Sequence, residues 1–123
     1  MSDYAARLQA TKEFYPFGRW ASQQDTLEQY TDEVCSEAAQ IFDRLIEHLT
    51  ALGDGAPENK KLEVFQQAIE ATNRLDEENG YMVFETGEAG EIVDLCNKIA
   101  LAAGLDPKKY AGGEGPASLW RNW

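Results

Sequence analysis

An all-α, single-domain antiparallel helical bundle of about four main helices plus a short C-terminal helical turn is predicted by three observations. Apolar side chains recur every three or four residues over long stretches, glycine and proline punctuate the chain between those stretches, and the one β-prone run, Tyr81-Met82-Val83-Phe84, has no second run to pair with. The chain of 123 residues fits one domain long enough to bury a core without disulfide or metal staples. A content of 43% hydrophobic and 27% charged residues is that of a globular chain rather than a disordered one.

In chain order, Ser2 offers a cap for a first helix that sets Tyr4, Leu8 and Thr11 on one side and Phe14 near its end. Pro16 stops it. The residue before a proline avoids helical geometry, so Tyr15 is expected extended and the FYPFGRW stretch is expected to turn. Its rings, Phe14, Tyr15, Phe17 and Trp20, are predicted to form a lid over one end of the core, with a ligand cage as the alternative.

The longest helical pattern runs from Thr26 to Leu52, with Leu27, Tyr30, Val34, Ala38, Ile41, Phe42, Leu45, Leu49 and Leu52 on one stripe. Asp25 or Thr26 is the expected cap, Thr26 with Gln29 forming a capping-box pattern, with Ser22 as an alternative start one turn earlier, and Asp25 and Glu28 suit the positive end of the helix dipole. Gly53 to Pro57 ends this helix and opens a second, from Glu58 to Glu77, whose inward positions are Leu62, Phe65, Ala68, Ile69, Thr72 and Leu75. The short connection makes the two antiparallel. Asn79-Gly80 terminates the second helix, because its last acids oppose the dipole. The YMVF run is expected as extended chain or a last helical turn plugged into the core.

Thr86 is the expected cap of a further helix through about Ala103, with Ala89, Ile92, Val93, Cys96, Ile99, Ala100 and Ala103 inward. Gly104 ends it, Leu105 supplies the hydrophobic contact of a glycine cap, and Asp106-Pro107 starts one more short turn through Tyr110. Gly112 to Pro116 reads as a flexible break. Beyond it, Trp120 and Trp123 carry too much apolar area for a frayed end, and at least one is expected to dock on the bundle, the alternative being insertion into a partner.

The formal net charge is −11, and it is regional: the segments Asp25 to Glu47 and Asp76 to Asp94 together carry net −13, the remainder +2. Nucleic acid and anionic membrane surfaces are repelled by such a chain, whereas a basic protein partner complements it. No run approaches the roughly 18 apolar residues of a membrane span, and the basic start and apolar core of a signal peptide are missing, so a cytoplasmic location is expected. Cys35 and Cys96 fall on apolar helix faces as small buried hydrophobes, and the compartment argues against a disulfide between them.

The only histidine, His48, sits near the end of the long helix, where it suits the negative dipole end; general base is its alternative role. A Glu-x-x-His di-iron pattern is absent, since Leu45 stands three residues before it. Glu85, Glu88, Glu91 and Asp94 form a ladder at spacing three, a pattern able to hold magnesium for phosphate chemistry, as in the all-α nucleotide pyrophosphohydrolases. The second helix that would complete such a cage lacks the matching pair, Glu63 being followed by Gln66 and Glu70 by Asn73. Acids favoured at a helix start are the simpler account. No cofactor is implied.

The aromatic-proline turn FYPFGRW, the acidic helix with an inward Cys35, the run ATNRLDEENG, the helix ETGEAGEIVDLCNKIALAAGLD and a closing RNW together resemble small acidic helical bacterial proteins grouped as a domain of unknown function. The resemblance covers most of the chain and implies a bacterial, cytosolic, helical protein. It carries over no site residue. The expected function is that of a non-enzymatic acidic interaction module, an immunity- or antitoxin-like inhibitor that offers Asp32, Glu33, Glu37, Asp76, Glu77 and Glu78 to a basic partner. The alternative is a metal-dependent phosphate-processing enzyme using the Glu85 to Asp94 ladder, and a homodimer through a leftover apolar strip is open.

Overall fold

In the computed structural model, residues 3–22, 31–81 and 83–123 are described. The expectations for Ser2, for Asp25 to Tyr30 and for Met82 lie outside them. The described residues form helices α1 (Tyr4–Ala10), α2 (Phe17–Ala21), α3 (Asp32–Leu52), α4 (Glu58–Glu78) and α5 (Thr86–Ala102). A 3₁₀ turn, Thr11–Phe14, follows α1, and three more, Pro107–Lys109, Ala111–Gly113 and Pro116–Leu119, follow α5. No strand occurs among the described residues, and four main helices with one-turn additions make the all-α bundle expected from periodicity.

α3 begins at Asp32, with Thr31 as its cap. Thr31 is extended (φ −67°, ψ 159°) and its hydroxyl accepts from the Val34 backbone N–H at 3.2 Å, satisfying one of the free donors of the first turn. From there Val34, Cys35, Ala38, Ile41, Phe42, Leu45, Ile46 and Leu49 are buried, while Leu52, assigned to the stripe from its spacing, is 39% exposed. α4 runs antiparallel to α3: the start of α3 and the end of α4 share one groove, and the two helices form the most extensive contact in the fold. α1 and α2 lie against α3, and α5 packs on α1, on Thr11–Phe14 and on the closing turn Pro116–Leu119.

The aromatic stretch differs from a simple turn. Tyr15 is extended as the following proline requires (φ −61°, ψ 126°), but Phe17 to Ala21 then coil into α2 and drive Phe17 and Trp20 into the core. Phe17 meets the ring of Trp20 edge-on at 5.4 Å and stacks on Phe42 at 5.7 Å, and Trp20 reaches Phe84 at 6.2 Å. Phe17 and Trp20 thus fill the interior, while Phe14 and Tyr15 border an open groove with Pro16, Arg19 and Lys98. Phe14 stays 46% exposed, with the Lys98 ammonium 4.3 Å from its ring centroid, a cation over an aromatic face.

The start of α5 is another correction: Glu85 occupies the cap position without a side-chain bond and Thr86 is already helical. Its buried face includes Leu95 as well as Ile92, Cys96 and Ile99, whereas Val93 is only half-buried. The helix ends as expected. Gly104 adopts φ 84°, its N–H bonds the Leu101 carbonyl at 3.0 Å, and the Leu105 N–H reaches the Ala100 carbonyl at 2.9 Å, the paired bonds of a Schellman motif.

The glycine-rich segment is exposed at Gly112 to Glu114 but packed at its end, where Gly115 and Pro116 are buried. Gly115 is buried against Asn97, whose amide donates to the Glu114 carbonyl at 3.1 Å, and Ala117 is fully buried. Both late tryptophans dock: Trp123 donates from its indole to the Thr72 hydroxyl at 3.0 Å and lies 5.0 Å from the Phe84 ring, and Trp120 packs half-buried against the core while its backbone carbonyl accepts from Asn73 at 2.9 Å. No helix among the described residues is long and apolar enough to cross a membrane.

Candidate functional site

The antiparallel pairing of α3 and α4 brings together acids that lie some forty positions apart in sequence. Glu33 and Glu37 from the first turns of α3, and Glu78 with Asn79 from the end of α4, line one open groove of about 370 Å³ with Thr31 and Val34. Asp32 and Glu77 flank it on the exposed sides of the same helix ends. Among the described residues no cation pairs with Glu33, Glu37, Glu77 or Glu78. The acids of α3 are supported by the helix N-terminus, but Glu77 and Glu78 stand at the negative end of α4, where the dipole adds to their mutual repulsion. The result, among the described residues, is a group of exposed acids without paired cations at one end of the bundle.

Asp76 leaves this set. It is 4% exposed, and its Oδ1 accepts from the backbone N–H groups of Val83 at 3.1 Å and Phe84 at 3.2 Å. The carboxylate acts as a staple for the α4–α5 connection, which drops Val83 and Phe84 into the core while leaving Tyr81 66% exposed. Val83 and Phe84, the end of the YMVF run, are therefore an irregular plug, as the lack of a pairing strand implied.

The Glu85 to Asp94 ladder is taken apart by its neighbours. Glu91 pairs with the Arg19 guanidinium and accepts from the Trp20 indole at 3.3 Å, and Asp94 pairs with Lys98 at 2.7 Å one helical turn on. Glu85 and Glu88 instead edge a broad groove of about 910 Å³ floored by Phe84, Ala89, Val93 and Trp123, with Arg121 opposite. Among the described residues no three His, Cys, Asp or Glu side chains stand close enough to share a metal ion.

His48 is exposed and borders a slot between α3 and α4 lined by Ile41, Arg44, Leu45, Val64, Gln67, Ala68, Ala71 and Arg74, none of them a nucleophile. Both thiols are buried and free. Burial pushes Cys96 up to about 12 and raises Cys35, with Asp32 adding to the latter, so neither is poised as a thiolate.

Periodicity placed the helices but missed Lys61. It is 4% exposed on α4, donates to the carbonyls of Asp54 at 2.8 Å and Ala103 at 2.7 Å, and sits 5.1 Å from the Tyr4 ring centroid. Nearby, Tyr110 donates to Glu58 at 2.9 Å, and burial together with that bond pushes its hydroxyl up to about 12. These groups tie the α3–α4 connection to the end of α5, and every polar atom named is spent on another part of the chain. The acidic end of α3 and α4 is thus the best-supported candidate site. No family model, curated protein or solved structure matches this sequence.

Proposed function

We propose that the chain is a non-enzymatic interaction module of the immunity or antitoxin-like kind, which offers the α3–α4 end to a basic protein partner. The observation that supports this is the convergence of Glu33, Glu37 and Glu78 on one groove, with the exposed Glu77 adjoining Glu78, all without a paired cation among the described residues. Such a field steers a cationic partner and fixes its orientation, and desolvation of the carboxylates is offset only if the partner supplies matching donors. The proposal keeps the chain beside the small acidic helical bacterial proteins its motifs resemble. It gives no role to the Glu85 to Asp94 ladder, of which Glu91 and Asp94 are held by Arg19 and Lys98 while Glu85 and Glu88 line a separate groove.

The test compares two variants of equal net charge. One replaces Glu33, Glu37, Glu77 and Glu78 by Gln; the other replaces the exposed Glu13, Glu47, Glu63 and Glu70. Wild type and the second variant should retain a basic protein from a bacterial lysate that rising salt elutes, and the first variant should lose it. Equal retention by both variants, or capture indifferent to salt, overturns the proposal.

A further inference from the structure

In a chain of net charge −11, Arg44 and Arg74 stand out as arginines to which the structure gives no carboxylate among the described residues. Both rim the α3–α4 slot, whose floor is Ile41, Leu45, Val64 and Ala68. The slot holds about 180 Å³. That is below the roughly 300 to 1,000 Å³ of small-molecule pockets, and its size and apolar floor suit one large side chain.

The same chain carries the complementary shape. Tyr81 is 66% exposed at φ 62°, a backbone conformation uncommon for a non-glycine residue, so its ring projects from the end of α4. Its hydroxyl has no partner among the described residues. Four and three residues before it stand Glu77 and Glu78, exposed and without a paired cation among the described residues. Arg74 precedes them by three and four residues and so shares their side of α4, yet no ion pair joins them within the chain.

We infer that two copies of this chain pair through the α3–α4 face, Tyr81 of each entering the slot of the other while Glu77 and Glu78 meet Arg44 and Arg74 across the interface. One-way insertion would propagate as a filament, whereas reciprocal exchange, each copy giving its Tyr81 to the other's slot, is an isologous contact that closes about a two-fold axis as a dimer. It goes beyond the basic partner proposed above and competes with it for Glu77 and Glu78. The two ideas fail separately, since one is read from the mass of the protein alone and the other from capture of a second protein.

Light scattering and sedimentation velocity on the full chain, from low to high micromolar concentration, test it. Wild type should pass from 13.7 kDa to twice that mass. Arg44→Glu/Arg74→Glu and Glu77→Arg/Glu78→Arg should each stay monomeric with unchanged helicity, and an equimolar mixture of the two should recover the dimer, since each then offers what the other lacks. Tyr81→Ala should weaken pairing at least tenfold. Wild type that stays monomeric throughout, charge variants that still dimerise alone, or a mixture that fails to pair each overturn the inference, the second by placing the contact on another face.

Discussion

The Lys61 ammonium lies 2.7 Å from the carbonyl oxygen of Ala103, joining the first turn of α4 to the residue that follows α5. The carbonyls at a helix end lack intrahelical partners and carry its negative dipole, so a buried cation is most favourable there. The second bond, to Asp54 at 2.8 Å, fixes the α3–α4 connection to the same point. Lys61→Met keeps the apolar stem and removes both bonds. It is expected to lower stability by about 1 to 3 kcal/mol, because two acceptors lose a charged donor in a buried place. Urea denaturation followed by circular dichroism checks this; a change within experimental scatter would mean that water replaces the ammonium without penalty.

Asp76 makes the same point with opposite charge. Asp76→Ala strands the Val83 and Phe84 N–H groups and should destabilise by about 1 to 3 kcal/mol. Glu77→Ala, one residue on and exposed, should stay within about 0.5 kcal/mol. The comparison by chemical denaturation separates a carboxylate that holds the chain together from one available to a partner; equal effects would return Asp76 to the surface.

Both buried charges were legible in register and hidden by residue type. The buried positions of α4, Lys61, Val64, Phe65, Ala68, Ile69, Thr72, Leu75 and Asp76, follow the three-and-four spacing without a break. A stripe built only from apolar letters stops short of both ends, and Asp76 then reads as the first of an acidic run. Glycine hides structure differently. Gly112 to Gly115 has the composition of a flexible linker, but the same residues are needed wherever backbone takes positive φ, and nothing local tells the two apart. The Schellman end at Gly104 was legible because its glycine follows a periodic helix and precedes a leucine. The convergence of Glu33 and Glu37 with Glu78 was half legible, since antiparallel pairing follows from a short connection but the register of the two helices does not.

Burial of titratable groups sets an alkaline limit on stability. Cys96 is pushed up to about 12 from its ordinary 9.0 by burial, and Tyr110 to about 12 from 10.0 by burial and then by its bond to Glu58. Raised values mean that the folded chain keeps protons which the unfolded chain releases. The associated stability is fully present below pH 9.0 and is lost as pH rises toward about 12. Denaturation midpoints should therefore fall across that window, and Cys96→Ala, although less stable at neutral pH through its cavity, should show a shallower decline. Thiol-labelling reagents should modify neither Cys35 nor Cys96 until the protein is unfolded, since both are buried. Rapid labelling of the native protein would place at least one thiol in solvent.

Gly115 shows why the closing turns are part of the fold. Its φ of 115° with ψ 171° belongs to a region that side chains rarely enter, and a Cβ there would overlap the Asn97 side-chain amide. Gly115→Ala should therefore lower stability by about 1 to 3 kcal/mol. Two sources contribute, and a double-mutant cycle separates them: Asn97→Ala removes the obstructing amide, so Gly115→Ala should be less harmful in that background, while the residual loss reports backbone strain. The segment from Pro116 onward packs on α4 and α5, so the damage should reach the Trp123 indole, whose bond to Thr72 at 3.0 Å depends on that path. Tryptophan fluorescence of Gly115→Ala should shift to the red as Trp123 gains water, ahead of the loss of helical signal on denaturation. If the variant is as stable as wild type and its fluorescence is unchanged, the glycine-rich segment is a tether after all, and the docking of Trp120 and Trp123 must rest on their own contacts with Thr72, Asn73 and Phe84.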